Sequence, residues 1–451
     1  MNTNDTTPSS TTTEILLLLW QWRIELALMG LVAFVYCASA RRVGYSNSAV
    51  IVAIAIGVLL GLPSVRRGLT RVLLVARWRR KLARALALID LPLAVRPPKV
   101  IRAERVAGGM RLTLMLKSGT AVHELERLCP YLATHFRAWQ VKPLADPTNA
   151  ARVRLTIYTK DPFGDGEIAW PYGLSQVASA WSPLPLGIDE EGEEVSVSLI
   201  ERNLLCGGEP GSGKSGFLNT VLASLAQDPT AALYLFDPKG VELEPWRPCA
   251  NGFVGDDLNA AIEQLEGLIE VMDARYETLR RLGVRKFERG QGYGPVVVVI
   301  DELPYYVANL DNRGAKEFGN RLRDLIARGR AASMVVVVAA QKPSADTVPS
   351  FIRDLIGIRV AFRCSTREAS DTVLGGGWAA QGYSATSIPM AQRGVGLVLG
   401  ADGLPRLMKT YWLSDAAIRD IVGRACTLRL KHPKDERETA LDNEGDTDPW
   451  N

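Results

Sequence analysis

The residues most able to do chemistry run from Gly208 to Ser215: Gly-Glu-Pro-Gly-Ser-Gly-Lys-Ser, a G-x-x-x-x-G-K-[ST] string. Glycines at these places let the backbone curl until successive N–H groups point inward and form an anion nest. A short apolar strand ending in Leu204-Leu205-Cys206 precedes the string, and a helix-like run, Phe217-Leu218-Asn219-Thr220-Val221-Leu222, follows Gly216. The helix N-terminus adds partial positive charge to the nest. Lys214 supplies a point charge for β- and γ-phosphates, and Ser215 a hydroxyl for Mg²⁺. The expected cradle for ATP is therefore Gly208, Glu209, Pro210, Gly211, Ser212, Gly213, Lys214, Ser215 and Gly216.

Two further stretches carry matching chemistry. Pro295–Glu302 (PVVVVIDE) is an apolar run ending in two carboxylates. Asp301 is placed to hold the Mg²⁺ shell as a Walker B aspartate, and Glu302 to orient or deprotonate the attacking water. An acidic pair at a strand end also caps a following helix. Beside a phosphate loop, the pair argues for a hydrolysing ATPase rather than a relic that only binds nucleotide. Ser333–Ala340 (SMVVVVAA) is another buried strand, with Gln341 at its tip as a candidate sensor of the γ-phosphate. Arg330, in Arg328-Gly329-Arg330-Ala331, has two readings. It complements a helix C-terminus, or it points out of its subunit toward a neighbour's nucleotide, as fingers that neutralise transition-state charge do.

These side chains need a scaffold of parallel strands. The runs Leu233–Phe236, Val296–Ile300, Met334–Ala340, Arg359–Phe362 and Val395–Leu399 alternate with helical segments, as βαβ units require. The whole chain has 451 residues, 47% hydrophobic and 23% charged, with net charge +4. That excludes wholesale disorder and does not by itself mark a nucleic-acid binder. Six cysteines lack metal-knuckle spacing and read as small buried hydrophobes, without zinc or a disulfide framework.

Mean hydropathy of +0.03 is high for so charged a chain and points to a concentrated apolar segment. Leu26–Ala40 and Ser48–Pro63 are two such runs, each a little short of a ~20-residue span. Trp20, Trp22 and Tyr45 suit the interface and Arg23 can snorkel, while Glu25 sits awkwardly at the edge of the first run. We expect a two-helix membrane hairpin over 14–64, after a disordered polar lead at 1–13. Arg66, Arg67, Arg71, Arg77, Arg79, Arg80, Lys81 and Arg84 follow it, against Arg41 and Arg42 in the connection. This bias places the rest of the chain, ATPase included, in the cytoplasm beneath the cell membrane, as a multi-pass protein. The basic stretch, 65–96, reads as an amphipathic helix on anionic lipid or as a surface for DNA.

Pro97-Pro98 marks a boundary. From 97 to 185 the pattern is a small α+β domain: strands Val100–Val106 and Met110–Lys117, a helix over Thr120–Phe136, strands Trp139–Pro143 and Arg152–Tyr158, and loop from 160. His123 and His135 read as surface or packing residues of that helix. A motor domain is expected over 186–413. A helix over Asp415–Leu428 and an acidic disordered tail from Lys434 complete 414–451.

Several strings in this order resemble the FtsK/SpoIIIE family of DNA-pumping ATPases, over about 195–412. Besides the phosphate loop they are Asp237-Pro238-Lys239-Gly240-Val241-Glu242-Leu243, Ala274-Arg275-Tyr276 with Gly283-Val284-Arg285, Ile300-Asp301-Glu302-Leu303, and Arg328-Gly329-Arg330-Ala331-Ala332. Ala340-Gln341-Lys342-Pro343-Ser344, Arg359–Arg363 and Ala369–Gly375 follow. The resemblance implies a RecA-like α/β motor with a mostly parallel sheet, binding ATP and Mg²⁺, assembled as a homo-hexamer around double-stranded DNA. It implies that Lys214 and Ser215 bind phosphate and metal, that Asp301 and Glu302 handle metal and water, that Gln341 senses, and that Arg330 is a finger in trans. The two-span anchor resembles small members from conjugative elements of mycelial actinobacteria, so membrane lipid and other transfer proteins are expected partners. Unlike cell-division members, the chain has no long linker and no room after Leu413 for a winged helix. Arg313, Lys316, Arg321 and Arg323 are the candidates to face DNA, or a solvated helix face. Type VII protein secretion and chromosome segregation are the other functions that such a motor serves.

Overall fold

The computed structural model describes residues 23–88 and 97–431, apart from 107, 147, 165, 174–178, 308–312, 345–346 and 401–402. The expected polar lead and acidic tail lie outside the described residues. The chain divides into two units, Met1–Pro162 and Phe163–Asn451.

The first unit begins with helices α1 (Arg23–Val43), α2 (Tyr45–Gly61) and α3 (Pro63–Ala87). Gly44 turns the chain between α1 and α2 at φ +83, a left-handed conformation that suits glycine. The expected membrane hairpin starts at residue 14, outside the described residues. Among the described residues no helix is long and apolar enough to cross a membrane. The two helices nevertheless leave Met29, Phe34 and Ile54 more than 60% exposed, so nothing among the described residues covers that apolar surface.

Strands β1 (Lys99–Val106) and β2 (Gly109–Met115), helix α4 (Val122–Phe136) and strands β3 (Gln140–Asp146) and β4 (Asn149–Tyr158) complete the unit. The strands pair antiparallel in the order β1-β2-β4-β3. Alternation puts Leu112, Leu114, Val153, Leu155 and Ile157 on one face, where Leu125, Leu128 and Leu132 of α4 cover them. His123 and His135 lie exposed on α4. Helix α3 belongs to this core. Leu82, Ala85 and Leu86, at helical spacing, are buried in the same cluster, and Trp78 packs edge-on against Phe136. The apolar face of its last three turns is thus turned to protein, and the reading of 65–96 as a helix lying apolar-side down on lipid is corrected there.

The second unit adds β5 (Ile168–Ala169), β6 (Leu184–Asp189), β7 (Glu194–Val197), β8 (Leu204–Gly208), α5 (Lys214–Ala226), β9 (Ala232–Phe236), β10 (Gly252–Val254), α6 (Leu258–Leu282), β11 (Val296–Ile300), α7 (Leu303–Val307) and α8 (Arg313–Arg328). Then come β12 (Met334–Gln341), α9 (Ser350–Arg353), β13 (Ile358–Phe362), α10 (Arg367–Leu374), β14 (Val395–Leu399), β15 (Arg406–Trp412) and α11 (Asp415–Lys431). The described strands form one sheet in the order β10-β9-β11-β12-β8-β13-β14-β15-β6-β7, with β5 beside β15. From β10 to β13 all pairs are parallel. From β13 to β7 they are antiparallel.

Strand β11 is buried at every residue, and β12 at all but its last. Helices cover both faces, which is why these strands read as unbroken Val runs. On one face lie Phe217, Leu218, Val221 and Leu222 of α5 with Trp246 and Ile418, Ile421 and Val422 of α11. On the other lie Leu265, Leu268 and Met272 of α6 with Phe318, Leu322 and Leu325 of α8. Two expected boundaries shift. Position 185 falls inside β6, whose Leu184 and Leu186 enter the motor core, and the C-terminal helix is part of that core rather than a separate tail.

Candidate nucleotide site

The parallel strands β8, β12, β11 and β9 end at one edge of the sheet, and the chemistry gathers there. Strand β8 gives way to the loop Glu209–Gly213, after which α5 begins at Lys214. The loop glycines are required sterically. At Gly213, φ +117, an added Cβ would lie 2.5 Å from the Cα of Gly394. At Gly208 it would lie 2.8 Å from the Cβ of Phe362. A turn just before β14 holds the loop from behind. The Gly394 N–H donates to the Ser212 carbonyl at 2.9 Å, and Arg393 Nε donates to the Gly211 carbonyl at 3.1 Å. Glu209 is fixed by its N–H to the Arg363 carbonyl at 2.9 Å and by an ion pair with Arg363 at 3.5 Å.

Lys214 is buried and donates from Nζ to the carbonyls of Gly208 and Glu209 at 2.7 and 2.8 Å. Burial holds its ammonium below the ordinary lysine range. Strand β12 lies between β8 and β11, with Gln341 in register with Gly208. Gln341 is therefore seated between the phosphate loop and the two carboxylates. Its backbone N–H donates to Glu302 Oε1 at 3.1 Å.

Asp301 is buried, and burial, reinforced by the carboxylates of Asp237 and Glu242, pushes it up to about 7. Its Oδ2 is buried without a hydrogen-bond partner among the described residues, as is Ser212 Oγ in the loop. Such orphaned atoms cost about 1–3 kcal/mol each, more when charged. A cation at Asp301 and an anion against the loop would satisfy them. Burial likewise raises Glu302. ATP and Mg²⁺ thus fit the donor and acceptor set.

The Asp-Pro-Lys-Gly-Val-Glu-Leu string proves to be a folded device. Asp237 is fully buried, and its carboxylate accepts from four backbone N–H groups, those of Lys239, Gly240, Val241 and Leu243, at 2.8–3.1 Å. The loop so held carries Lys239 to within 3.6 Å of Glu302 Oε2. A cleft of about 560 Å³ runs from Pro210, Lys214 and Ser215 over the start of α5 to Ile168, Trp412 and Leu413. Sequence reasoning missed this far wall, and also Arg393 and Gly394. A glycine opening an apolar run at Val395 was the one available signal.

Arg330 is not with the others. It lies just before β12, which spans Met334 to Gln341, so its end of the sheet is about 23 Å from the phosphate loop at 3.3 Å per residue. Its side chain is 70% exposed and pairs with Glu201 at 3.3 Å, while Lys286 pairs with the other oxygen of Glu201. Arg328 is held by Asp273 and Asp324. Arg275 explains its own motif. Buried, it donates to the Ala332 carbonyl at 2.9 Å, while the neighbouring Tyr276 hydroxyl donates to the Arg328 carbonyl, so the two clamp the Arg-Gly-Arg loop. Of the expected DNA-facing cations, Arg313, Lys316 and Arg323 are exposed on α8, while Arg321 is engaged by Glu266 at 2.8 Å and Glu317 at 3.7 Å.

A phosphate loop at the tip of one parallel strand, carboxylates at the tip of another and a glutamine between them define a P-loop ATPase domain. Residues 173–376 match the model of the FtsK/SpoIIIE family. The DNA translocase SftA of Bacillus subtilis is 34% identical over 211 residues, 43% of this chain and 22% of that protein. The DNA translocase FtsK of Staphylococcus aureus is 29% identical over 258 residues, 52% of this chain and 31% of that protein. This chain therefore spans less than a third of the length of either relative. Among solved structures, the pCW3 conjugation coupling protein TcpA, in a monomer form with ATPγS, is similar in fold. It has a TM-score of 0.53 and 19% identity, and the likeness covers 78% of this chain and 99% of that one.

Proposed function

We propose that the chain is a membrane-anchored, ATP-driven translocase of double-stranded DNA that serves intercellular transfer of a plasmid or integrative element. The observation that carries this is the convergence of Lys214, Ser215, Asp301, Glu302 and Gln341 at one sheet edge, inside a family-matched domain whose relatives are DNA translocases. The inward amides of the loop and Lys214 would hold the phosphates of ATP. Ser215 and Asp301 would hold Mg²⁺, and the orphaned Asp301 oxygen suits that role. Bound MgATP supplies the phosphoanhydride whose hydrolysis drives movement. Glu302 accepts a proton from water at Oε2, and Gln341 links the carboxylate strand to the phosphate loop through its N–H. Arg330, exposed and far from its own loop, suits a role in a neighbouring subunit of a ring, which makes a homo-hexamer the expected assembly. The apolar surface of α1 and α2, exposed among the described residues, suits a membrane anchor, and the arginines of α3 suit its cytoplasmic side. The likeness in fold to a coupling protein across most of the chain favours conjugative transfer over segregation.

Turnover of ATP by the purified whole chain, measured with and without linear duplex, tests the reading. We expect at least fivefold stimulation, none by single strands, and vesicle co-flotation of the chain. Glu302→Gln should abolish turnover while nucleotide still binds. Hydrolysis indifferent to duplex would sink the proposal.

A further inference from the structure

The Asp-Pro-Lys-Gly-Val-Glu-Leu loop is built to a tolerance that phosphate binding alone does not require. Four backbone N–H groups converge on the buried Asp237 carboxylate, and the Asp237 N–H donates to the Val254 carbonyl at 2.9 Å. The side chain so positioned is Lys239. Its ammonium lies 3.6 Å from Glu302 Oε2, on a carboxylate only 12% exposed. The other oxygen, Oε1, is already occupied by the Gln341 N–H at 3.1 Å. Both oxygens of the proposed base are therefore engaged, and Oε2 is the one that must be free to take a proton from water. Lys239 itself is 46% exposed, so its flexible stem has room to leave.

The geometry points to Lys239 as a positioning residue that latches Glu302 in an unproductive ion pair and releases it when the terminal phosphate of bound nucleotide competes for the ammonium. This rests on the ATPase reading above. The competition is between a single carboxylate and a polyphosphate of higher charge, and Asp301, Asp237, Glu242 and Lys214 are further charged groups that weigh on it. The latch lowers hydrolysis in the absence of duplex, when the ion pair re-forms after each turnover.

Lys239→Met, Lys239→Arg and wild-type whole chains, assayed for ATP turnover without duplex and then with it, test this. Mant-ATP binding is measured in parallel on each. The expected result is that Lys239→Met raises the duplex-free kcat at least threefold and shrinks the ratio of duplex-stimulated to duplex-free turnover by a similar factor. Its affinity for mant-ATP falls, because the ammonium that the terminal phosphate recruits is gone, so kcat is read at saturating ATP, and Lys239→Arg keeps the low duplex-free rate. Damage to the loop lowers turnover and cannot raise it, so the direction separates a latch from a structural role. An unchanged or lowered duplex-free rate in Lys239→Met overturns the latch, whether or not the arginine variant restores it. If duplex fails to stimulate the wild type, the translocase reading fails, while the duplex-free ratio of the two chains still decides the latch.

Discussion

The two edges of the parallel sheet carry similar charges in opposite settings. At the edge where β8, β11 and β12 end, Asp301 and Lys214 are buried, and an oxygen of Asp301 has no hydrogen-bond partner among the described residues. At the other edge, Arg330, Lys286 and Glu201 pair with one another on the surface. Burial without pairing raises one carboxylate toward neutrality, whereas hydrogen bonding first to Lys286 and then to Arg330 lowers Glu201. The first arrangement is unstable in isolation and suited to a ligand. The second is already satisfied, and a neighbouring molecule that takes Arg330 must displace only a solvent-screened pair.

Breaking the first edge should have the largest effect. Lys214→Ala removes the one buried cation of the cradle, and we expect ATP turnover to fall at least a hundredfold, with nucleotide binding lost in a mant-ATP titration. Next, Arg330→Ala should cut turnover by the assembled chain tenfold or more while mant-ATP affinity and Tm stay near wild type. A matching loss of affinity would place Arg330 outside any trans role.

The contrast also predicts opposite responses to pH. Asp301 has its folded value raised to about 7, from 3.8 when unperturbed, so the folded chain binds its proton more tightly than the unfolded chain does. Its ionisation therefore destabilises the nucleotide-free fold progressively from about pH 4 to about pH 7, with a constant penalty above. Asp301→Asn should raise the Tm of the nucleotide-free, Mg²⁺-free chain at pH 8, and the gain should shrink as pH falls through 7. A gain independent of pH would remove burial as its cause. The smallest effect belongs to the other edge: Lys286→Ala, which removes one arm of an exposed pair, should shift Tm by no more than ~1 °C.

Much of the first edge was legible because it is written locally. The phosphate loop, the Val runs and the residues at their tips follow from spacing, and Val296–Ile300 and Val395–Leu399 fall where alternation with helices puts them. Gln341 was legible as a strand tip, and the sheet order then placed it between Gly208 and Glu302. What was not legible depends on distant partners. The spacing of Leu82, Ala85 and Leu86 shows an apolar face on α3 but not that a sheet, rather than lipid, covers it. Strands β6 and β7 are short, and Pro185 and Gly187 interrupt β6, so their membership of the motor sheet is settled by the pairing of β6 with β15 and of β7 with β6. Lys239 could be seen in a distinctive string. Its approach to Glu302 depends on Asp237 drawing four amides around itself, and no periodicity encodes that.

The turn at Arg393-Gly394 has a consequence for biosynthesis. It touches the phosphate loop across 182 positions of chain, at Arg393 and Gly211. While the polypeptide is still emerging from the ribosome, the Gly208–Ser215 segment is therefore made long before its rear support exists. A nascent chain stalled short of residue 393 would carry the whole phosphate-loop sequence without the two donors, Arg393 Nε and the Gly394 N–H, that hold the loop's carbonyls in the finished fold.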